Sequence, residues 1–114
     1  MPNVFGKSLR QLRRSKSVSQ RELARRVGVD FSYISKVENE RLPPPAADTI
    51  VKICEVLEIS PVELLASTGK IPTQVKEMLG ASSAALQFVQ QAHAMGLTED
   101  EWDKLTRRLK RLRA

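Results

Sequence analysis

The feature that most constrains the fold of this chain is a pair of short helical segments separated by three residues. The run Ser19–Glu22 (SQRE) has the spacing of a capping box and predicts a helix that begins at Gln20. Gly28 can adopt the left-handed conformation that ends a helix, and Asp30 can accept backbone N–H bonds at the start of the next one. The segment from Phe31 to about Glu40 is therefore predicted to be the second helix of a helix-turn-helix.

The two faces of that second helix differ in chemistry. At about 100° per residue, Ile34 and Val37 share one face, with Tyr33 at its edge. The opposite face offers hydrogen-bonding groups, one cation and no acid: Ser32, Ser35, Lys36 and Asn39. A face that serves only solubility more often mixes Glu with Lys. This face predicts an anionic partner that is rich in hydrogen-bond donors and acceptors.

The remaining segments are also patterned as helices, and the chain is predicted to be all-α. The predicted elements are a first helix over about 3–16, a fourth over about 47–57, a fifth opened by a capping box at Ser60–Glu63, a sixth ending at Gly80, a seventh over about 82–95, and a last one opened by a capping box at Thr98–Glu101. The Pro43–Pro45 run predicts a stiff extended connector. The predicted domains are 1–66, a connecting helix or linker at 67–80, and a helical hairpin at 81–114.

Charge is unevenly distributed in a chain whose net charge is +6 and whose pI is about 9.9. Residues 1–26 hold eight basic side chains and one acid, and the last eleven residues hold six basic side chains and no acid. Either run alone is as compatible with a solvated helix face as with a binding surface. Together they favour nucleic acid or an anionic membrane over an acidic substrate.

Several classes of protein are disfavoured by the composition. No apolar run approaches the ~20 residues that span a bilayer, and the N-terminus lacks the apolar core of a signal peptide. Cys54 is the only cysteine, which suits a reducing cytosol and a cytoplasmic protein. His93 lies in a different predicted helix, and no metal-ligand spacing, nucleophile–base pair or phosphate loop is present. The chain is predicted to be no enzyme and to need no metal or cofactor.

Residue identities sharpen the helix-turn-helix prediction. The string SQRELARRVGVDFSYISKVENERL resembles the Cro/C1-type helix-turn-helix family, also called the xenobiotic-response-element family, through Ser19-Gln20, Glu22-Leu23-Ala24, Val27-Gly28, Tyr33-Ile34-Ser35 and Glu38-Asn39. The following LPPPAADTIVKICEVLEISPVELL resembles the fourth and fifth helices of that family. The resemblance covers about residues 5–66. It implies a five-helix, lambda-repressor-like domain that binds double-stranded DNA and regulates transcription.

The resemblance also assigns roles to individual residues. Base contacts are predicted for Phe31, Ser32, Ser35 and Lys36, and phosphate contacts for Gln20, Arg21, Asn39 and Arg41. Arg13 and Glu38 match a pair that ties the first helix to the third; as an exposed ion pair it would contribute only ~0–1 kcal/mol. Two residues depart from the family pattern. Phe31 replaces a polar residue and either contacts a thymine methyl or packs inward, and Glu40 stands at a usual glycine position.

The C-terminal hairpin has two apolar seams. The predicted dimer interface consists of Phe88, Val89, Ala92, Trp102, Leu105, Leu109 and Leu112. Two such helices are too thin to bury this surface, which must lie against another copy or against the N-terminal domain. The run ALQFVQQAHAMGLTEDEWDKLTRRL resembles the dimerising hairpin of SinR-type repressors.

The leading prediction is therefore a homodimeric repressor that binds a palindromic operator. The alternative is an interaction module, an antitoxin or an antagonist-controlled switch, whose hairpin captures a partner protein. A third reading, a membrane-surface binder that uses the basic last helix, is disfavoured by the multi-helix context.

Overall fold

The computed structural model describes residues 5–114, and every regular element among them is helical. The eight helices are α1 (Phe5–Ser15), α2 (Gln20–Val27), α3 (Phe31–Glu38), α4 (Ala47–Leu57), α5 (Val62–Thr68), α6 (Thr73–Gly80), α7 (Ser83–Met95) and α8 (Glu99–Arg111). The all-α prediction is confirmed. Positions 3 and 4 of the predicted first helix lie outside the described residues. None of the described helices is long and apolar enough to cross a membrane.

The chain divides into two compact units, one that extends to Val75 and one that runs from Lys76 to Ala114. The first unit contains a hydrophobic core to which each of its five helices contributes. Its members are Phe5, Leu9, Leu23, Ala24, Val27, Ile34, Val37, Ile50, Ile53, Cys54, Leu57 and Leu64. The apolar face predicted for α3, formed by Ile34 and Val37, is the face that is buried, so helical periodicity correctly placed these core side chains.

The turn between α2 and α3 is built by local bonds. The Ser19 hydroxyl accepts from the Glu22 N–H at 3.0 Å, which caps α2 as predicted. The Glu22 carboxylate bonds Arg25 instead of completing the capping box. Gly28 has φ +88° and ends α2, as predicted. Asp30 stands at the N-cap of α3 but makes no side-chain capping bond, so its predicted capping role is wrong.

The third helix ends two residues earlier than predicted. Glu40 has φ +61°, a left-handed conformation that cannot continue a helix. The Lys36 carbonyl then accepts from the N–H groups of Arg41 and Leu42, which closes the end of the helix. This explains why the family pattern has glycine at the Glu40 position, since glycine adopts positive φ without steric cost.

The helix after Ser60 also begins differently from the prediction. The Ser60 hydroxyl accepts from the Val62 N–H at 3.3 Å and makes no bond to the Glu63 N–H, so the predicted capping box is absent. Beyond α5, Lys70 Nζ donates to the carbonyls of Pro44 and Pro45 at 2.9 and 2.8 Å. These bonds join the connector that follows α3 to the segment that follows α5.

A close helix crossing brings α1 against the end of α3. A Cβ built on Gly6 would lie 2.3 Å from the Val37 carbonyl oxygen and 2.8 Å from the Glu38 carbonyl oxygen. Because both contacts are to backbone, no side-chain rotation can relieve them. The absence of a side chain at Gly6 therefore permits the short distance between α1 and the end of α3.

In the second unit, α7 and α8 form the predicted hairpin. Ser82 caps α7, Gly96 ends it with φ +61°, and the Thr98–Glu101 capping box is complete. The rings of Phe88 and Trp102 meet edge to face, with centroids 6.4 Å apart. Only Ala92 is buried in this unit, so most of the apolar surface of the hairpin is accessible.

Candidate nucleic-acid interface

The outward face of α3 has the composition that the sequence predicted. Ser32 and Lys36 are exposed, Ser35 is half-buried, and Ile34 and Val37 on the opposite side are buried. Asn39, immediately after the helix, is exposed, and its Nδ2 donates to the Ser35 hydroxyl at 3.4 Å. Apart from Phe31, the exposed part of α3 is therefore polar, and it is free of carboxylates, because Glu38, the only acid of the helix, is buried.

A buried ion pair fixes this helix relative to α1. Arg13 Nε donates to Glu38 Oε2 at 2.6 Å, and a second guanidinium nitrogen donates to Oε1 at 2.8 Å. Arg13 is 6% exposed and Glu38 is 3% exposed. The expectation of an exposed, weak pair was wrong, because the helix crossing excludes water from both side chains. Removing one partner of such a pair leaves an uncompensated buried charge, which costs about 3–5 kcal/mol.

Further donors converge on the same carboxylate. Gln20 Nε2 donates to Glu38 Oε1 at 2.9 Å, and Arg10 Nε approaches the same oxygen at 3.5 Å. Another guanidinium nitrogen of Arg10 donates to Asn39 Oδ1. Glu38 thus connects α1, α2 and α3, and two of the predicted phosphate-contacting residues, Gln20 and Asn39, belong to this network.

The network determines the protonation state of Glu38. Burial raises the pKa of a carboxyl group, but here the hydrogen bonds from Arg13 and Gln20 and the charge of Arg13 outweigh burial, and the pKa of Glu38 lies below its ordinary value. The pKa of Arg13 is raised, first by its hydrogen bond to Glu38. Both groups are therefore charged at neutral pH, and the pair is a fixed feature of the folded domain.

Phe31 does not pack inward, which rules out one of the two predicted roles. Its side chain is 39% exposed, and the guanidinium carbon of Arg21 lies 4.6 Å from the ring centroid in a cation–π contact. The ring stands beside an open cleft lined by Arg10, Arg13, Arg14, Ser19, Gln20, Arg21 and Phe31. This cleft opens between the start of α2 and α1.

Positively charged side chains line the cleft next to the outward face of α3. Arg14 and Arg21 are exposed and Arg10 is half-buried. Within residues 5–114, neither Arg14 nor Arg21 forms an ion pair with a carboxylate. Their charge is therefore available to an external anion. The sequence had not singled out Arg10 or Arg14; only the basic run of residues 1–26 hinted at them.

The predicted interface of the hairpin is largely accessible to solvent. Phe88, Val89, Trp102, Leu109 and Leu112 are exposed, Leu105 is half-buried and Ala92 is buried. An apolar groove on this unit is lined by Leu79, Ala85, Phe88, Val89, Trp102, Leu105, Thr106, Arg108, Leu109 and Leu112. Six of the seven predicted residues line the same groove. Ala92 does not line it.

The described residues give little support for a metal site or a reactive thiol. No group of three or more His, Cys, Asp or Glu side chains comes together there. Cys54 is buried in the core, and burial raises the pKa of its thiol to about 11. It is therefore a protonated, apolar core residue at neutral pH.

Comparison with known proteins shows the family to which this helix arrangement belongs. Residues 9–64 match the helix-turn-helix family, and the match includes the whole of the ion-pair network and the recognition helix. The chain belongs to the Cro/C1-type helix-turn-helix family. The proteins of this family are DNA-binding transcription regulators, so this chain is a helix-turn-helix transcription regulator and not an enzyme, as the sequence predicted.

Three relatives are HTH-type regulators. An uncharacterised regulator of Bacillus subtilis, RghRB, is 29% identical over 112 residues, which are 90% of this chain and 81% of that protein. The regulator y4dJ of Sinorhizobium fredii is 32% identical over 63% of this chain and 92% of its own length. The transcriptional repressor RghR of Bacillus subtilis is 31% identical over 82% of this chain and 68% of its own length.

Two solved structures share the fold. SinR, a master regulator for biofilm formation, in complex with DNA is 34% identical and covers 54% of this chain and 97% of that one, with a TM-score of 0.51. The SinR–SinI protein complex is 26% identical and covers 93% of this chain and 94% of that one, with a TM-score of 0.52. The likeness to SinR-type regulators that the sequence predicted is confirmed.

Proposed function

We propose that this transcription regulator is a repressor that binds a two-fold-symmetric DNA site as a homodimer. The observation that carries the proposal is the acid-free outward face of α3, bordered by exposed arginines and fixed to α1 and α2 through the buried Glu38 carboxylate. A rigid polar helix beside a cationic cleft suits a major groove flanked by phosphates. The repressor RghR, among its relatives, supports the direction of regulation.

The proposed base contacts come from Phe31, Ser32, Ser35 and Lys36 on this face. The proposed phosphate contacts come from Gln20, Arg21, Asn39 and Arg41 around it. Gln20 can serve in both roles, because its amide has two N–H donors and only one is needed by Glu38. Asn39 is similarly placed, bonded to Arg10 and Ser35 while remaining exposed.

The proposed dimer forms through the hairpin of the second unit. Leaving its apolar groove in water forgoes ~1.5–3 kcal/mol for each large side chain that a partner could bury. A two-fold dimer would present two recognition helices to successive major grooves, ~34 Å apart. The two-fold symmetry proposed for the DNA site thus follows from the two-fold symmetry proposed for the dimer.

The experiment that tests DNA recognition is selection of binding sites from a random duplex library, followed by affinity measurements on four variants. Lys36→Ala and Ser32→Ala should change which sequences are bound, by ~1–3 kcal/mol at individual positions. Gln20→Ala and Arg41→Ala should weaken specific and random duplexes alike. Lys104→Ala, which removes an exposed cation of the second unit, is the charge control and should leave both affinities unchanged.

The same titrations should show a linear fall of log affinity with log salt, about −0.9 for each neutralised phosphate. If no sequence is enriched, or if all four variants weaken selected and random DNA equally, the proposed recognition face is wrong. A nearly flat salt response would exclude DNA as the main ligand.

The dimer is tested by light scattering on Trp102→Ala combined with Leu109→Ala. We expect a folded monomer that keeps weak, salt-sensitive binding to any duplex and loses most of its preference for the palindrome. Val62→Ala is a matched control, because Val62 on α5 of the first unit is 66% exposed, close to the 67% of Leu109. A double variant that stays dimeric, or a monomer that binds the operator at full strength, would contradict the proposal.

A second candidate is a switch in which the hairpin binds a different protein. It is favoured by the structural likeness to SinR in complex with SinI, which extends over 93% of this chain. A purified chain that remains monomeric at every concentration would support this alternative over self-association. A concentration-dependent dimer would support the homodimer.

A further inference from the structure

Phe31 is the exposed large apolar side chain of the recognition helix. It occupies the first position of α3, where recognition helices reach base edges, and it is 39% exposed. Its neighbours on that face, Ser32 and Lys36, are polar. Burial in the core does not explain Phe31, since the core contains Ile34 and Val37 from this helix and not Phe31.

Arg21 holds the ring in place. Its guanidinium carbon lies 4.6 Å from the ring centroid, and the contact joins the second residue of α2 to the first residue of α3 across the turn. Arg21 forms no ion pair with a carboxylate anywhere in residues 5–114. The stack therefore restricts the ring while the cation stays available to a phosphate.

The major groove offers one apolar group to such a ring. Adenine, guanine and cytosine present donors and acceptors at that edge, whereas thymine adds a C5-methyl group. A side chain that presents only polar atoms at this position would gain nothing from the methyl group. A phenyl ring gains by removing it from water, and a preformed stack loses less side-chain entropy when it does so.

We propose that Arg21 and Phe31 act as one unit that reads a thymine in each half-site: the ring packs against the C5-methyl group, and the guanidinium on the ring bonds a backbone phosphate. The proposal rests on the proposed DNA-binding function and adds to it the base that is read and the group on that base. Arg21 is a positioning residue for the ring as well as a phosphate ligand.

The test replaces each thymine of the selected site by uracil, which removes the methyl group and keeps the pairing edge. At one position in each half-site, uracil should lower the affinity of the wild-type protein about fourfold, the effect of one methyl-sized group. 5-Bromouracil, whose bromine fills the place of the methyl group, should restore the affinity. Phe31→Ala should bind thymine and uracil sites equally, and circular dichroism should show an unchanged fold because the side chain is exposed.

Two further variants separate stacking from charge. Arg21→Lys keeps the cation but lacks the planar group, so the salt dependence should be unchanged while the thymine preference falls. Arg25→Lys is the matched control, because Arg25 lies on the same helix but is bonded to Glu22 and not to Phe31. It should retain the full thymine preference.

The outcomes distinguish this inference from the function on which it rests. If the wild-type protein selects no sequence at all, the proposed function fails. If it selects a site but tolerates uracil everywhere, if the selected half-site has no thymine, or if Phe31→Ala keeps the same uracil penalty, the thymine reading is overturned. Full thymine preference in Arg21→Lys would overturn the role of the stack.

Discussion

The contact at Gly6 makes a sharp prediction about the stability of the first unit. In Gly6→Ala the new methyl group would lie 2.3 Å from the Val37 carbonyl oxygen, where ordinary contact begins at 3.4 Å. The crossing of α1 and α3 must therefore open by about 1 Å. Overpacking of this kind typically costs ~1–3 kcal/mol, and the clash with two backbone carbonyls places it at the upper end.

The gain in helix propensity works in the opposite direction. Alanine is favoured over glycine by ~1 kcal/mol within a helix, so the net loss in the free energy of unfolding should be about 2 kcal/mol. Gly80→Ala is the matched control, because Gly80 also lies in a helix and a Cβ there would have no neighbour within 4 Å. That substitution should be neutral or slightly stabilising.

The free energy of unfolding of both variants is measured by urea denaturation, monitored by circular dichroism. The fluorescence of Trp102, the only tryptophan, reports on the second unit, whereas circular dichroism reports on the helices of both units. DNA affinity should also fall, since the shift moves α3 relative to α1. If Gly6→Ala is as stable as Gly80→Ala, the crossing can relax without cost and the assigned role of Gly6 is wrong.

Three further predictions concern individual side chains. Because the pKa of Glu38 in the folded state is below its ordinary 4.5, its stabilising effect is complete above about pH 4.5 and is lost as the pH falls through the folded-state value. The stability gap between wild type and Glu38→Gln, measured by urea unfolding, should therefore be constant near neutral pH and narrow in acid; a gap that widens in acid would contradict the assignment. Glu40→Gly should raise the free energy of unfolding by up to ~1 kcal/mol, because glycine adopts the φ of +61° without steric cost. Glu55→Gly, within α4, is the control and should lower the free energy of unfolding. If both variants lower the free energy of unfolding equally, Glu40 is not strained. Cys54, buried and with its thiol pKa raised to about 11, should react with a thiol reagent only on unfolding, so fast labelling of the native protein would refute its place in the core.

The parts of the fold that could be predicted from the sequence are those determined by neighbouring residues. Ser19, Gly28 and Thr98 act within one turn of themselves, and their roles in beginning or ending helices are as predicted. Helical periodicity likewise placed Ile34 and Val37 in the core. These features need no knowledge of what lies across the domain.

The local signals that failed did so where other bonds competed with them. Asp30 stands at the correct position and makes no capping bond, and Ser60 bonds Val62 instead of Glu63. A capping sequence shows which hydrogen bonds are possible at a helix start but not which of them form. The final choice depends on the backbone path, which the rest of the domain determines.

The parts that could not be predicted arise from packing between distant segments. Nothing near Gly6 in sequence indicates that it must be glycine, because the obstructing carbonyls belong to residues 37 and 38. The pairing of Arg13 with Glu38 came from family resemblance, but its burial depends on the helix crossing. Arg10 and Arg14 become neighbours of the cleft only once α1 lies beside α2. The DNA contacts and the dimer interface stay predictions.

The bonds made by Lys70 bear on where a recombinant fragment of the DNA-binding part should end. The domain boundaries predicted from the sequence suggest a cut after residue 66, just before the predicted linker at 67–80. Such a cut would discard Lys70, whose ammonium group joins the Pro44 and Pro45 carbonyls, and Thr73, which donates its N–H and its hydroxyl to the Asp48 carboxylate at 2.9 and 2.7 Å. A fragment that ends at Val75 keeps all four of these hydrogen bonds. A fragment that keeps these bonds is therefore about nine residues longer than the predicted domain of residues 1–66, and the added residues bond the loop that follows α3 and the start of α4.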